Sequence, residues 1–140
     1  MKACVLYCSH TGNTKCFAEA IGDLLKAPLF DVTTSDPSVA DEAELLVIGT
    51  PAIGLRPAPE VSSFVKSLPE CKGKKAILFG TYAMRMGGAL KILEKELAEK
   101  GCVTLLGVSK RVLRKGKADF SEALAEIKKV TEKQERHTEK

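Results

Sequence analysis

The sequence predicts an α/β fold, a three-layer sandwich in which a doubly wound, five-stranded parallel sheet lies between two layers of helices. Short apolar runs of strand length alternate along the 140 residues with segments whose apolar residues recur at helical spacing. The strand runs are almost continuously apolar, which is typical of parallel strands covered by helices on both faces. With 44% hydrophobic residues the chain can bury a core, and we expect one domain over residues 1–140.

Five runs supply the predicted strands. Ala3–Tyr7 comes first, and residues 45–49, 76–79 and 102–108 have the same β-branched or aromatic character. A weaker run at residues 28–33 follows the first helical segment. Each crossover between parallel strands requires a helix or a similarly long connection, so the alternation predicts one helical segment after each strand.

Five helical segments are predicted between and after these strands. Four of them place apolar residues on one face: Phe17, Ile21, Leu24 and Leu25; Val61, Phe64, Val65 and Leu68; Leu90, Leu93 and Leu97; Phe120, Leu124 and Ile127. The remaining segment, residues 36–42, is short, although Pro37 suits a first helical position after an Asp36 cap. Residues 131–140 have mixed charge without apolar residues, and we expect them to be the frayed end of the last helix.

Composition disfavours several classes of function. The five cysteines, at positions 4, 8, 16, 71 and 102, form no CxxC pair and adjoin no histidine cluster, so the sequence indicates neither a zinc site nor a disulfide framework. No apolar run approaches the roughly 18 residues of a membrane span, and no signal-peptide pattern is seen. A net charge of +4 without tryptophan gives no indication of nucleic-acid binding. We expect a cytoplasmic protein that does not bind membranes.

Three loops at the expected carboxyl edge of the sheet carry unusual residues. Ligands of open parallel sheets bind outside this edge, where the strand order reverses. The loops are residues 9–14, 50–59 and 80–88. The first of them joins a strand to a helix N-terminus, where unpaired N–H groups and the helix dipole favour an anion.

Small polar residues crowd this first loop. Ser9, Thr11, Asn13 and Thr14 offer hydroxyl and amide donors, and Gly12 lets the backbone approach a ligand closely. The pattern is neither GxxxxGK[ST] nor GxGxxG, so a phosphate monoester held by neutral donors is our interpretation. The alternative is a simple helix cap, which needs only one such residue.

The sequence resembles the flavodoxin family in all three loops. The N-terminal flavodoxin signature is matched at Val5, Leu6, Tyr7, Ser9, Gly12, Thr14, Ala18 and Ile21. Residues 48–51 with 56–59 look like the family's loop after strand three, and residues 79–82 with 87–90 resemble its loop after strand four. The resemblance implies a flavodoxin-like fold with strand order 2-1-3-4-5, non-covalent FMN anchored by its phosphate, and electron transfer.

The resemblance also implies which residues hold the cofactor. They are Ser9, His10, Thr11, Gly12, Asn13, Thr14, Pro51, Ala52, Ile53, Gly54, Thr81, Tyr82, Ala83 and Gly87. Gly54 is the expected hinge of a peptide that reorients with redox state. Ile53 stands where typical members carry an aromatic residue over the flavin ring, while Tyr82 can cover the other face. No catalytic residue and no metal ligand is expected, and Cys8 is interpreted as a buried structural residue.

Charge sets the chain apart from typical members of the family, which are acidic around the flavin. The basic residues Lys110, Arg111, Arg114, Lys115 and Lys117 follow the last strand without an intervening acid. We expect redox protein partners, acidic ones docking at this cluster, with a solvated turn as the alternative. We also expect a monomer or a weak homodimer.

Two other functions stay open at this point. One is a small FMN-dependent NAD(P)H or quinone reductase with its own substrate. The other is a flavodoxin-like module that has lost flavin binding. An electron carrier is favoured over both, because the chain is a small single domain for which no large substrate pocket is predicted.

Overall fold

The computed structural model describes residues 2–113 and 118–138, so Arg114, Lys115 and Lys117 lie outside the described residues. In chain order the elements are β1 (Ala3–Tyr7), α1 (Asn13–Leu25), β2 (Leu29–Asp31), a 3₁₀ turn (Pro37–Ala40), β3 (Leu45–Ile53), β4 (Arg56–Pro57), α2 (Pro59–Lys66), β5 (Lys75–Tyr82), α3 (Ala89–Ala98), β6 (Val103–Arg111) and α4 (Ser121–Thr138).

The sheet has the strand order β2-β1-β3-β5-β6, and all four of these pairings are parallel. Counting the five parallel strands in sequence gives the predicted order 2-1-3-4-5, so the fold class is confirmed. The chain leaves β1 toward β2 on one side and later returns to β3 on the other. This reversal opens a crevice at the carboxyl ends of β1 and β3, where ligands bind in such folds.

Each face of the sheet buries its own apolar cluster. One cluster includes Leu6, Ile48 and Leu78 of the sheet together with residues of α2 and α3. The other joins the sheet to α1 and α4, and at its centre the Phe17 ring stacks on Phe120 with centroids 4.3 Å apart. Helices on both faces explain why the central strands are buried on both sides and lack polar alternation.

Three details of the prediction were wrong. A sixth strand, β4, pairs antiparallel with β3, and the two residues Gly54 and Leu55 connect them. The segment at residues 36–42 is a single 3₁₀ turn rather than a helix, because Asp36 caps only one turn before the chain enters β3. β3, β5 and β6 also run beyond their predicted ends to Ile53, Tyr82 and Arg111, since their backbone pairing continues into the loops. Lys110 and Arg111, predicted to follow the last strand, therefore lie within it.

The last helix is longer than its apolar face requires. α4 extends from Ser121 to Thr138, and fraying of its final turns in solution stays a prediction. Among the described residues no helix is both long and apolar enough to cross a membrane.

Candidate functional site

The first loop is shaped by a glycine in the left-handed region. Gly12 has φ 94° directly before α1, a conformation that residues with a β-carbon adopt only at a cost. The Ser9 hydroxyl folds back across the loop and accepts hydrogen bonds from the N–H groups of Gly12 (3.0 Å) and Lys15 (3.2 Å). Ser9 thus supports the loop from within, and it leaves other donors of the helix terminus free.

Two backbone N–H groups at the start of α1 have no hydrogen-bond partner among the described residues. Among the hydrogen bonds of residues 2–113 and 118–138, none is donated by the backbone N–H groups of Asn13 and Thr14. The Asn13 side-chain oxygen Oδ1 is also buried without a partner. Buried polar groups are nearly always paired in native proteins, so this cluster indicates a site for an additional polar ligand.

The first loop is joined to the end of β5 by a buried hydrogen bond. The hydroxyl oxygens of Thr14 and Thr81 are 2.7 Å apart, and both side chains are buried. β1 and β5 are not neighbours in the sheet, because β3 lies between them. The bond therefore fixes the anion-binding loop relative to the third loop.

The second loop is a tight hairpin between β3 and β4. Gly54 and Leu55 both have positive φ, 58° and 69°, as a two-residue type I′ turn requires. Thr50 binds the segment that follows this hairpin. Its hydroxyl accepts a hydrogen bond from the Ala58 N–H at 2.8 Å and donates one to the Pro51 carbonyl. Leu55 packs so closely against Gly87 that a β-carbon there would lie 2.5 Å from the Leu55 β-carbon.

The third loop is held by residues that follow it in the neighbouring strand. The Val112 N–H donates to the Tyr82 carbonyl at 2.8 Å, and Arg111 Nε donates to the Ala83 carbonyl at 2.9 Å. Arg111 was predicted only as a docking cation, yet its guanidinium group also braces this loop.

A pocket of about 190 Å³ lies where the three loops meet. Its lining consists of His10, Thr11, Asn13, Pro51, Ala52, Ile53, Thr81, Tyr82, Ala83 and Val112. All of these except Val112 were predicted as site residues. Sequence reasoning missed Val112, although its place directly after β6 at the same sheet edge was a usable signal.

Five predicted site residues lie outside this lining: Ser9, Gly12, Thr14, Gly54 and Gly87. The structure gives most of them supporting contacts, such as the Ser9 cap and the Thr14–Thr81 bond. Contact of any predicted residue with a cofactor stays a prediction. Larger hollows exist elsewhere, one of about 440 Å³ at the amino end of the sheet and one of about 640 Å³ beside α2.

The side chain of His10 contacts α2. Its Nε2 lies 2.7 Å from a carboxylate oxygen of Glu60, and the buried Cys8 thiol donates to the same oxygen at 3.6 Å. Burial, followed by the negative charge of Glu60, raises the pKa of Cys8 to about 12. The thiol is therefore protonated at neutral pH, and its burial agrees with the structural interpretation. Sequence reasoning missed Glu60, which lies 50 residues from His10.

Exposed apolar residues surround the pocket, and Lys110 of the adjacent basic segment lies near acids. Exposed large hydrophobic residues at the three loops and just after β6 are Ile53, Leu55, Met84 and Leu113. Lys110 shares a second hollow with Asp119, Glu122 and Glu126 of the α4 region. The acid-free run seen in the sequence therefore faces acids in space at Lys110.

The fold and the three loops agree with one known family. A family model described as Flavodoxin matches residues 5–134. The chain belongs to the flavodoxin family. FMN is therefore the cofactor, and electron transfer is the function.

Individual flavodoxins are similar over most of the chain. The flavodoxin of Megasphaera elsdenii is 32% identical over 113 residues, which cover 75% of this chain and 82% of the relative. A flavodoxin from the domain Archaea superposes with a TM-score of 0.72 at 25% identity and covers 93% of both chains. Flavodoxin 1 of Bacillus cereus, at 20% identity and a TM-score of 0.77, shares the fold over 94% of this chain and 98% of its own.

The residues present fit FMN at its phosphate end. Asn13 and Thr14 supply unpaired N–H groups from which a phosphate can accept, and the NH₂ group of the Asn13 carboxamide is a further donor at this position. At the ring end the pocket is lined by Ile53 and Tyr82, which offer an aliphatic and an aromatic surface. The fit is thus polar at one end and apolar at the other, as FMN requires.

Proposed function

We propose that this chain is an FMN electron carrier that passes electrons between redox proteins, rather than a reductase with a substrate of its own. The observation that carries the proposal is the pair of unpaired N–H groups of Asn13 and Thr14 at the start of α1. The start of α1 would hold the phosphate, and the loops of Ile53 and Tyr82 would hold the flavin ring.

Bound FMN supplies the redox chemistry, and the residues of the chain supply position and electrostatics. Asn13 and Thr14 donate to the phosphate. Ile53 and the neighbouring backbone of Pro51 and Ala52 exclude water from one side of the ring. Tyr82, fixed through its carbonyl by Val112, holds the opposite loop in place.

The size of the pocket favours a carrier. Sites that enclose a small molecule usually measure about 300–1,000 Å³. The pocket among the three loops is about 190 Å³, which is below this range, so FMN bound there would keep part of its ring at the surface. An exposed ring edge exchanges electrons with another protein directly, whereas a reductase needs further enclosed room for its substrate.

The first experiment compares FMN with riboflavin, which has the same ring and lacks the phosphate. Titration of the flavin-free chain should give FMN binding at least about 100-fold tighter than riboflavin binding, because charge-assisted hydrogen bonds contribute about 1.5–3 kcal/mol each. Equal affinities would place the binding energy in the ring and would contradict the phosphate assignment. Failure to bind FMN at high micromolar concentration would overturn the proposal itself.

A second experiment separates the carrier from the reductase. The FMN-loaded chain is mixed with NADPH alone, and separately with NADPH, a ferredoxin reductase and an electron acceptor protein. A carrier is reduced only in the second mixture. Steady NADPH oxidation by the chain alone, with a quinone or free flavin as acceptor, would favour the reductase.

We further propose that the partners are acidic and dock near Lys110, Arg111 and the basic residues that follow them. Arg114, Lys115 and Lys117 lie outside the described residues, so support comes from their charge and from the position of Arg111 beside the third loop. The exposed apolar side chains of Ile53, Leu55, Met84 and Leu113 offer a desolvated centre for such a contact.

Electron transfer to a ferredoxin of net negative charge tests this docking site. Lys115→Gln with Lys117→Gln should lower the association rate several-fold at low salt and flatten its dependence on ionic strength. Lys72→Gln with Lys95→Gln is the matched control, because it removes the same charge far from the three loops. Equal effects of the two double variants would show that only net charge matters.

The proposal also includes the assembly state and the compartment. A monomer or weak homodimer is expected, because the exposed apolar residues form a small patch rather than a large face. All five cysteines are free, which favours the reducing cytoplasm. Sedimentation at several concentrations measures the first point, and fractionation of cells measures the second.

A further inference from the structure

Three side chains with different metal-ligand chemistry converge beside the first loop. Cys8 directly follows β1, His10 lies two residues further on, and Glu60 stands in the first turn of α2. The Glu60 Oε2 atom lies 2.7 Å from His10 Nε2 and 3.6 Å from Cys8 Sγ. All three ligand atoms lie within 4.8 Å of one another.

We propose that Cys8, His10 and Glu60 form a binding site for a borderline-soft divalent cation of the Zn²⁺ class. Zinc accepts sulfur, nitrogen and oxygen ligands together at about 2.0–2.3 Å, which places ligand atoms about 3.4–3.6 Å apart in a tetrahedral site. The Sγ–Oε2 separation of 3.6 Å already has this value. The Nε2–Oε2 separation must open by about 0.7 Å from its hydrogen-bonded 2.7 Å, a rotation within reach of two exposed side chains.

Burial and exposure are distributed as an accessible metal site requires. Cys8 is 1% exposed and forms the inner wall, while the side chains of His10 and Glu60 are 41% and 39% exposed. A cation can enter from the solvent side, and a water molecule or an anion can occupy its fourth position. Cys8 and His10 lie in the loop that follows β1, and Glu60 lies in α2. The buried Cys8 and the helix fix two of the three positions, so little ordering is needed on binding.

The charges of the three ligands suit a dication. Zn²⁺ binding displaces the proton of the Cys8 thiol to solvent. The resulting thiolate, the carboxylate and a neutral imidazole carry two negative charges, so the complex with Zn²⁺ is neutral overall. Neutrality matters here because one wall is buried, where an unbalanced charge is costly. The set also selects against Mg²⁺ and Ca²⁺, which prefer oxygen ligands only. Cys8 and Glu60 lie outside the lining of the flavin pocket, whereas His10 belongs to both the cluster and that lining.

Competition between the full-length chain and a chromogenic zinc chelator tests the site. The wild-type chain should take up one Zn²⁺, and Cys8→Ala, His10→Ala and Glu60→Gln should each weaken its affinity at least about 10–100-fold. Cys16→Ala is the matched control, because it removes a half-buried thiol of α1 outside the cluster. Its affinity should equal that of the wild type.

Cobalt binding identifies the ligands spectroscopically. With Co²⁺ in place of Zn²⁺, the flavin-free chain should show a thiolate charge-transfer band that Cys8→Ser abolishes and Cys16→Ser keeps. Glu60→Gln alters a partly exposed residue, so it tests the site even if the Cys8 variants fail to fold. Wild-type affinity in Glu60→Gln, or a thiolate band that survives Cys8→Ser, would overturn the proposal, whether or not the chain binds FMN.

Discussion

At the scale of single residues, backbone conformation decides where glycine is required. Gly12 has φ 94° at the turn into α1, where a β-carbon would meet the following carbonyl oxygen. Gly88 precedes α3 in an equivalent capping position, yet its φ is −89° and the space around it is open. Both residues directly precede a helix, but only the Gly12 position has a backbone conformation that favours glycine.

Replacing each of these two glycines by alanine tests this difference. Gly12→Ala should lower the free energy of unfolding by about 1–2 kcal/mol and weaken FMN binding, because alanine is strained in the left-handed region. Gly88→Ala should leave stability unchanged or raise it by up to about 1 kcal/mol, since it restricts the unfolded chain. Urea unfolding and FMN titration measure both effects. Equal losses in the two variants would contradict this account of the loop.

At the scale of elements, the β3–β4 hairpin combines strain with close packing. Its turn needs positive φ at two successive positions, and one of them is occupied by Leu55 rather than by glycine or asparagine. A leucine in the left-handed region costs about 1–2 kcal/mol. The contact of Leu55 with Gly87 offsets part of this cost by fixing the second loop against the third.

Asparagine at position 55 relieves the strain. Leu55→Asn should raise the free energy of unfolding by up to about 1 kcal/mol, because asparagine adopts positive φ more readily than leucine. Leu113→Asn is the control: this leucine is also exposed, and its φ is not positive. The control should change stability little. A loss of stability in Leu55→Asn, measured by urea unfolding, would mean that packing against Gly87 outweighs the strain.

The hydrogen bond between Thr14 of α1 and Thr81 of β5 can be tested with single and double variants. Thr14→Val or Thr81→Val alone leaves one buried hydroxyl unpaired and should cost about 1–3 kcal/mol. The double variant removes both hydroxyls and should cost less than the sum of the two. Thr14→Val combined with Thr131→Val, a distant buried threonine of α4, should be additive. Additivity of the Thr14–Thr81 pair in urea unfolding would show that the hydrogen bond contributes nothing.

At the scale of the whole molecule, cysteines are distributed through the interior. Cys4, Cys8, Cys71 and Cys102 are buried in the cluster on the α2 and α3 side of the sheet. Burial raises the pKa of Cys4 and Cys102 to about 11 and that of Cys8 to about 12, and it raises the pKa of Cys71 as well. The folded chain therefore keeps these thiols protonated at pH values where an unfolded chain loses protons.

Stability should fall in alkaline solution for this reason. Below the ordinary thiol pKa of 9.0 both states hold their protons, and the contribution of the buried thiols is fully present. As pH rises from about 9 toward the folded-state values of about 11–12, the unfolded state ionises first and stability is lost. Cys4→Ala with Cys102→Ala should flatten the decline by up to about 1.4 kcal/mol per pH unit for each thiol. Parallel slopes in urea unfolding across this pH range would contradict the prediction.

The sequence predicts those parts of the molecule that depend on neighbouring residues. The first loop could be interpreted locally, because its glycine and its hydroxyl and amide donors lie within six residues. The strand order followed from the resemblance to flavodoxins. Three features could not be predicted: β4, the Thr14–Thr81 hydrogen bond and the approach of Glu60 to His10. Each depends on contacts between distant residues, which periodicity and spacing do not encode.

Because of the Thr14–Thr81 hydrogen bond, the spacing of the strands sets the length of a ligand that fits both loops. β1 and β5 are two strand spacings apart, or about 10 Å, and the bond holds the loops that follow them at a constant offset. A molecule that engages both loops must carry its anionic group and its flat ring that distance apart. The spacing between backbone strands would then limit which ligand lengths fit, in addition to the hydrogen bonds that each loop supplies.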